Sequence, residues 1–439
     1  MPICDSHVIV ITVPQTSFQT LIYTQMAKQP RTTLAALDIG TSKIVCLIAN
    51  IDTKGTLQVV GIGHQESKGI KAGVITNVTD AENAIRNAVS AAEQMAGVNV
   101  DRVIVNISGA KQKSHFLHVA IPINPNQEIN TRDIDRLIDE GCHHIATDDR
   151  EIIHCIALDY TLNDNQGIDD PKGMFGAKLG ANLHIVSGCA TTIINLTNCL
   201  ARCHLDVESY VCSAYASGWS ILTEDEKNLG VILIDFGSSN TAVASFKGGH
   251  FAYTHTIGMG GMHITNDIAL GLSTQIESAE RIKTLYGSLF TSSGDGKDII
   301  DVPHVGEHGT TDTGHIQRSE LVDIIKPRIE EIIEMLQKQT QNANLSSMGA
   351  SIVICGGSSQ LTGMKEYLSH HFDKPVRIGT PTMLAGLAES TKGPSFATSI
   401  GMLEYGLDHY LKHQVGLGNH RFNVNQTMLS LARWFKENF

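Results

Sequence analysis

The chain has 439 residues, 42% of them hydrophobic, and 33 Lys and Arg against 45 Asp and Glu give a formal net charge of −12. At roughly 150 residues per domain this length predicts about three domains, and the apolar fraction excludes global disorder. The acidic balance argues against a nucleic-acid partner, which calls for a basic patch, and no apolar run approaches the roughly 18 residues that span a bilayer.

Residues 1–32 are mixed polar without a period and are expected to be a disordered extension. Val8 to Val13 is short, closed by Pro14 and preceded by Asp5, a poor secretory signal. Organised sequence starts only at Leu34, which leaves open that translation begins at Met26. Leu34 to Leu37 and Ile44 to Ala49 are apolar runs joined by Asp38-Ile39-Gly40-Thr41-Ser42-Lys43, a strand, tight turn and strand. Leu57 to Gly63 is a third strand. Ala81 to Met95 is helical by spacing and is capped by Gly97. Val103 to Ser108 is another strand, after which the texture changes. His115 to Ile123, Glu151 to Tyr160 and Leu183 to Ser187 are strand-like, Thr131 to His144 is helix-like, and Leu162 to Gly180 is a polar stretch. Residues 103–186 are therefore expected to form an inserted α+β module, near the low end of domain size.

A long helix follows at Ala190 to His204. Val231 to Ile234 and Thr241 to Phe246 flank a second turn, Asp235-Phe236-Gly237-Ser238-Ser239-Asn240. Thr291 to Thr313 is Gly- and Thr-rich, either a flexible loop or a hairpin. Ile316 to Gln339 is helical, with Pro327 kinking it or opening a second helix. Ser351 to Cys355 is a strand ending in Gly356-Gly357-Ser358-Ser359. Gly406 to Asn425 is weakly periodic and is expected to be a linker. The nine cysteines are odd in number and scattered, which is no disulfide framework. Cys199, Cys203 and His204 lack a second ligand cluster, so reduced thiols are favoured over a metal site.

The two Asp-containing turns are an internal repeat. Leu37 matches Ile234, Asp38 matches Asp235, Gly40 matches Gly237 and Ser42 matches Ser239. A repeat a domain length apart implies two similar halves. Turns of this kind present backbone N–H groups to anions, and glycine lets backbone approach a phosphate. Thr41, Ser42, Ser238 and Ser239 add hydroxyls, and Lys43 adds a cation. Asp38 and Asp235, at strand ends, suit Mg²⁺ held through water. Neither Gly-x-x-x-x-Gly-Lys-Ser/Thr nor Gly-x-Gly-x-x-Gly occurs, which disfavours a Walker-type or dinucleotide site.

The order of LDIGTSKIVCLI, GIKAGVITN, LTEDEKNLGVILIDFG, IGMGGMHITNDIA, AERIK and ICGGSSQLTGM resembles the actin, Hsp70 and sugar-kinase superfamily, and within it the FtsA family of bacterial division proteins. The resemblance implies an α/β, actin-like fold of duplicated ribonuclease H-like halves. The first half would comprise residues 33–102, 187–225 and 395–406. The second would comprise 226–394, with a subdomain around 275–335. The family's own insert would occupy 103–186. It implies an ATP site with Mg²⁺, in which Gly40, Thr41, Ser42, Lys43 and Gly237, Ser238, Ser239, Asn240 hold phosphates. Gly356, Gly357 and Ser358 would contact the adenosine, Gly260 and Gly261 would open a nearby helix, and Glu280 and Lys283 would face the ribose or adenine. Read from the residues alone, Glu280 and Lys283 are an exposed helical ion pair. The second turn has Ser238-Ser239-Asn240 where the family often has glycines. No water-activating residue can be named, so at most slow ATP hydrolysis is expected.

Met428 to Phe439 forms an amphipathic helix, with Met428, Leu431, Ala432, Phe435 and Phe439 on one face, Arg433 and Lys436 opposite, and Trp434 flanking. Pattern alone leaves docking onto the chain's own body open beside an interfacial membrane helix. The resemblance favours the membrane, residues 407–426 being the linker. It further implies self-assembly into filaments on anionic lipid of the inner membrane's cytoplasmic face at the septum. It implies capture of the C-terminal peptide of FtsZ near Arg318, assembly of the Z ring and contacts to later division proteins through the insert. A sugar or small-molecule kinase, or a pilus-assembly actin homologue, is the alternative.

Overall fold

β1 (Thr33–Ile39) and β2 (Lys43–Ile51) are continuous apolar runs because both of their faces are covered, so neither alternates with polar residues. The computed structural model describes residues 33–414, except 110, 146, 148, 164, 292–298, 304–312 and 341–348. β3 (Leu57–Glu66) follows, then a small hairpin, β4 (Ile70–Lys71) and β5 (Val74–Ile75). α1 (Val78–Ala96) is capped by Asn77, whose side chain accepts from Asp80 N, and ends at Gly97 with φ 68°. β6 (Arg102–Ile107) pairs in parallel with β1.

The insert holds β7 (Lys113–Pro122), α2 (Thr131–Ile145), β8 (Arg150–Leu162), β9 (Asn165–Ile168) and β10 (Lys178–Cys189), with sheet order β7-β10-β8-β9. It has a core of its own, with Leu137 and Ile138 of α2 against Leu179, Leu183 and Ile185 of β10. The chain returns through α3 (Ala190–Arg202), β11 (Asp206–Cys212) and α4 (Ser213–Ile221). The second half runs through α5 (Glu224–Leu229), β12 (Val231–Phe236), β13 (Thr241–Lys247), β14 (His250–Ile257), α6 (Gly261–Gly271), α7 (Ile276–Tyr286), β15 (Ile299–Pro303), β16 (Thr313–Gln317), α8 (Arg318–Gln339), β17 (Ser351–Cys355), α9 (Met364–Phe372) and β18 (Val376–Ile378). α10 (Ala397–Gln414) closes the described chain against α4 and the first sheet.

The duplication extends to the sheets. One has the order β3-β2-β1-β6-β11 and the other β14-β13-β12-β17-β18. In each, the first three are antiparallel and the central strand starts a parallel series. Val231, Leu233 and Val353 of the second half share one buried cluster with Leu37, Ile44 and Val105 of the first.

Four expectations change and two open alternatives are settled. Val103 to Ile107 belong to the first half, since β6 is bonded to β1 and β11, so the insert begins after it. The polar stretch 162–180 contains β9 and the start of β10. α8 runs through Pro327 as one helix, and β15 and β16 form the hairpin alternative for 291–313. Residues 407–414, expected in a linker, continue α10, because Gly406 serves close packing on Ile104 rather than a helix stop. The segment around Ala385, assigned to the second half, bonds to β3, where Val59 N donates to Ala385 O at 2.8 Å.

Candidate functional site

The paired turns sit at the ends of β1 and β12 and share one geometry: Gly40 N donates to Lys43 O and Gly237 N to Asn240 O, each at 3.0 Å. They meet across the halves, with Thr41 Oγ1 and Ser239 Oγ 2.6 Å apart. Between the halves lies a cleft of about 790 Å³. Its walls include Asp38, Gly40 to Lys43, Asp235, Gly237 to Asn240, Gly261, Glu280, Lys283 and Gly356 to Ser358. All the expected nucleotide residues except Gly260 therefore line one cavity, and Gly260 caps α6 directly behind Gly261.

α6 is aimed by the second turn. Gly261 N donates to Gly237 O at 3.0 Å and Met262 N to Ser238 O at 2.6 Å. Ser358 Oγ donates to the same Gly237 O at 3.2 Å, which ties the third glycine turn to the second. Glu280 and Lys283 are not a free surface pair. Lys283 Nζ reaches Gly261 O at 3.1 Å, Thr265 Oγ1 at 2.8 Å and Glu280 Oε2 at 2.7 Å, and Thr265 also bonds Glu280. Asn240 is turned to the root of the insert, its Nδ2 donating to Ser108 O at 3.0 Å.

The cleft floor is electrostatically strained. Burial pushes the Asp38 carboxyl up, against the hydrogen bond from Ser399 and the charge of Lys43. Burial and then the charge of Asp38 push Asp235 up to about 6. Burial lowers Lys43, which the two carboxylates raise. Lys43 Nζ lies 3.4 Å over the Phe396 ring and 3.3 Å from Ser395 Oγ. Two buried carboxylates beside N–H-rich turns would suit a divalent cation together with the anion it neutralises. Among the described residues no cluster of three or more His, Cys, Asp or Glu could hold a metal. Any ion here would complete its shell with water and phosphate oxygen, as Mg²⁺ prefers.

Several floor residues escape motif reading. Asn106 and Ser399 bond Asp38, Ser217 bonds Asp235 and Thr398, and Pro394 O accepts from Gly356 N at 3.1 Å. Their role depends on contacts made by residues far apart in the chain, and the hydroxyls of Ser213, Ser217 and Ser220 on one short helix are a signal the sequence offered. Arg318 lies outside the cleft lining at the start of α8, donating to Tyr286 O at 3.2 Å. Met428 to Phe439, expected to form a membrane helix, lie outside the described residues.

The family model described as "Cell division protein FtsA" matches residues 232–401, and that described as "SHS2 domain inserted in FTSA" matches 109–187. Cell division protein FtsA of Rhizobium meliloti (strain 1021) is 36% identical over 419 residues, 92% of this chain and 95% of the relative. The chain belongs to the FtsA family of cell division proteins. The Escherichia coli (strain K12) member is 27% identical over 93% of this chain and 99% of its own. Among solved structures, a PilM–PilN type IV pilus biogenesis complex matches with a TM-score of 0.62 and 13% identity, over 86% of this chain and 99% of that one. MreB 5 of Spiroplasma citri bound to AMPPNP matches with 0.54 and 13%, over 88% and 100%. At these identities the likeness is one of fold, and the fold is actin-like. The second family match begins at residue 109, in accord with an insert that starts after β6.

Proposed function

We propose that this FtsA-family protein binds ATP with Mg²⁺ in the cleft, assembles into filaments on the inner membrane and tethers FtsZ there to build the Z ring. The observation that carries the reading is the pair of matched turns meeting at Thr41 and Ser239 over the cleft. The turn amides, Lys43 and the hydroxyls would hold the phosphates, and Asp38 and Asp235 would hold the ion through its waters. The ion would neutralise phosphate charge; the chain's own residues would orient the nucleotide and join the halves around it. Nucleotide acts mainly as an assembly ligand, because no side chain in the floor is placed as a strong base. Arg318, beside exposed Leu285 and Tyr286, suits an acidic peptide with apolar anchors, the FtsZ C-terminal segment. Residues 428–439 would lie on anionic lipid, placing the protein on the cytoplasmic face at the septum, with the insert facing later division proteins.

Liposome co-sedimentation tests this, comparing the full chain with one ending at Asn425, with and without ATP and FtsZ. The full chain should sediment and carry FtsZ with it; equal sedimentation of both chains sinks the tether. Sugar-dependent ATP turnover would support a kinase instead.

A further inference from the structure

The two halves repeat their turns but not the support beneath them. Asp38 Oδ1 accepts from Asn106 Nδ2 at 2.8 Å and Oδ2 from Ser399 Oγ at 2.7 Å. Both donors come from the interior, Asn106 on β6 being 3% exposed and Ser399 on α10 fully buried. Asn106 Oδ1 also accepts from Ile39 N at 2.7 Å, just past the last β1–β6 pair, Leu37 with Val105. One amide thus replaces a ladder bond and grips the carboxylate beside it. Asp235 is supported differently: Ser217 Oγ donates to Oδ2 at 3.3 Å, the Thr398 and Cys355 side chains also bond the carboxylate, and its Oδ1 lies against the backbone at Gly356.

We propose that Asn106 and Ser399 are positioning residues that lock Asp38 as the cation-facing carboxylate, a support that the repeat-related Asp235 does not share. Each Asp38 oxygen gives one lone pair to an inward donor and keeps the other for the cleft, so its plane is set before any ligand arrives. Ser399 sits in the first turn of α10, which makes that helix part of the ion site. The inference rests on the Mg²⁺–nucleotide reading above.

The test uses the full chain and its Ser399→Ala and Asn106→Ala variants. Binding of a fluorescent ATP analogue is measured without metal and then against Mg²⁺ concentration. Outer-shell losses at metal sites cost about 10- to 100-fold in affinity. We expect the Mg²⁺ half-saturation to rise at least tenfold in each variant, with Ser399→Ala still folded and its thermal melt lowered only by the loss of one buried hydrogen bond. Ser217→Ala should move the half-saturation less than threefold. A folded Ser399→Ala protein with wild-type Mg²⁺ dependence overturns the clamp, as does an equal effect of Ser217→Ala. A wild-type chain that binds the analogue with no Mg²⁺ effect overturns the clamp and the ion site but leaves the nucleotide reading standing. No analogue binding by the wild type overturns both.

Discussion

Gly356 and Gly357 are neighbours in one turn and have opposite demands on them. Gly356 has φ 84°, and a Cβ there would meet Asp235 Oδ1 at 2.4 Å and Phe236 O at 2.5 Å. Gly357 has only Ser395 Cβ, at 4.0 Å. Left-handed strain costs about 1–3 kcal/mol, and backbone cannot yield to a clash as a side-chain tip can. Gly356→Ala should therefore destabilise by at least about 2 kcal/mol and abolish nucleotide binding. Gly357→Ala should stay within about 0.5 kcal/mol. Thermal melts and analogue binding check both, and similar losses at the two positions would contradict the geometry. The sequence showed that a Gly-Gly pair follows a strand, but not which glycine is obligatory, because that depends on β12 passing beneath it. Asn106 and Ser399 were illegible for the same reason: their partner, Asp38, lies far off in the chain.

Elements were legible where burial set a period and obscure where packing overrode a local signal. Gly406 reads as a helix end, yet α10 runs through it. A Cβ at Gly406 would meet Ile104 Cδ1 at 2.3 Å, the mobile tip of a side chain, whereas one at Gly401 would meet Ala216 O at 1.8 Å. Alanine outranks glycine in helices by up to about 1 kcal/mol, which offsets a movable contact but not a backbone collision. Gly406→Ala should thus fall within about 1 kcal/mol of wild type and Gly401→Ala should lose more than about 2 kcal/mol in denaturant unfolding. The insert docks on β14 through a second buried group that no motif marked. His184 Nδ1 is 2.8 Å from Phe251 O, which can only accept, so Nδ1 carries the proton; Nε2 is 2.9 Å from Ser114 Oγ. Burial pushes this imidazole down to about 4, with the bond to Phe251 opposing and His115 adding to the fall. The neutral form is the folded one. Below about 6.5 the unfolded chain takes up a proton that the fold refuses, so stability falls with pH from there until about 4. At pH 5 this group alone removes about 2 kcal/mol. His184→Gln should remove that share of the loss between pH 7 and pH 5; an unchanged slope would assign it elsewhere, His154 being the other buried imidazole among the described residues.

At the scale of the molecule, the duplicated turns announced two halves, and the matching strand orders of the two sheets bear that out. The sequence did not reveal how tightly the parts are joined. Asn240 reaches Ser108 at the insert's root, Ser114 and Thr254 bond the insert to β14, and α10 bonds both cleft aspartates at its first residues, Asp38 through Ser399 and Asp235 through Thr398. The first turn of α10 thus shares its hydrogen bonds with the cleft floor. Net charge gave little warning of the segment expected to be an amphipathic helix, because −12 is an average and that segment carries Arg433 and Lys436. Each cation near an anionic leaflet contributes about 1 kcal/mol, so Arg433→Gln with Lys436→Gln should lose about 2 kcal/mol per helix, near thirtyfold in partitioning. Screening acts on the same attraction, so wild type at high salt should approach the variant at low salt. Avidity would mask the loss if many copies bound together, so the difference should be largest at the lowest protein concentrations. Vesicle co-sedimentation across salt and protein concentration reads this directly. A double variant that binds anionic vesicles as wild type does, at dilute protein and low salt, would leave only the apolar face of the helix to hold the membrane.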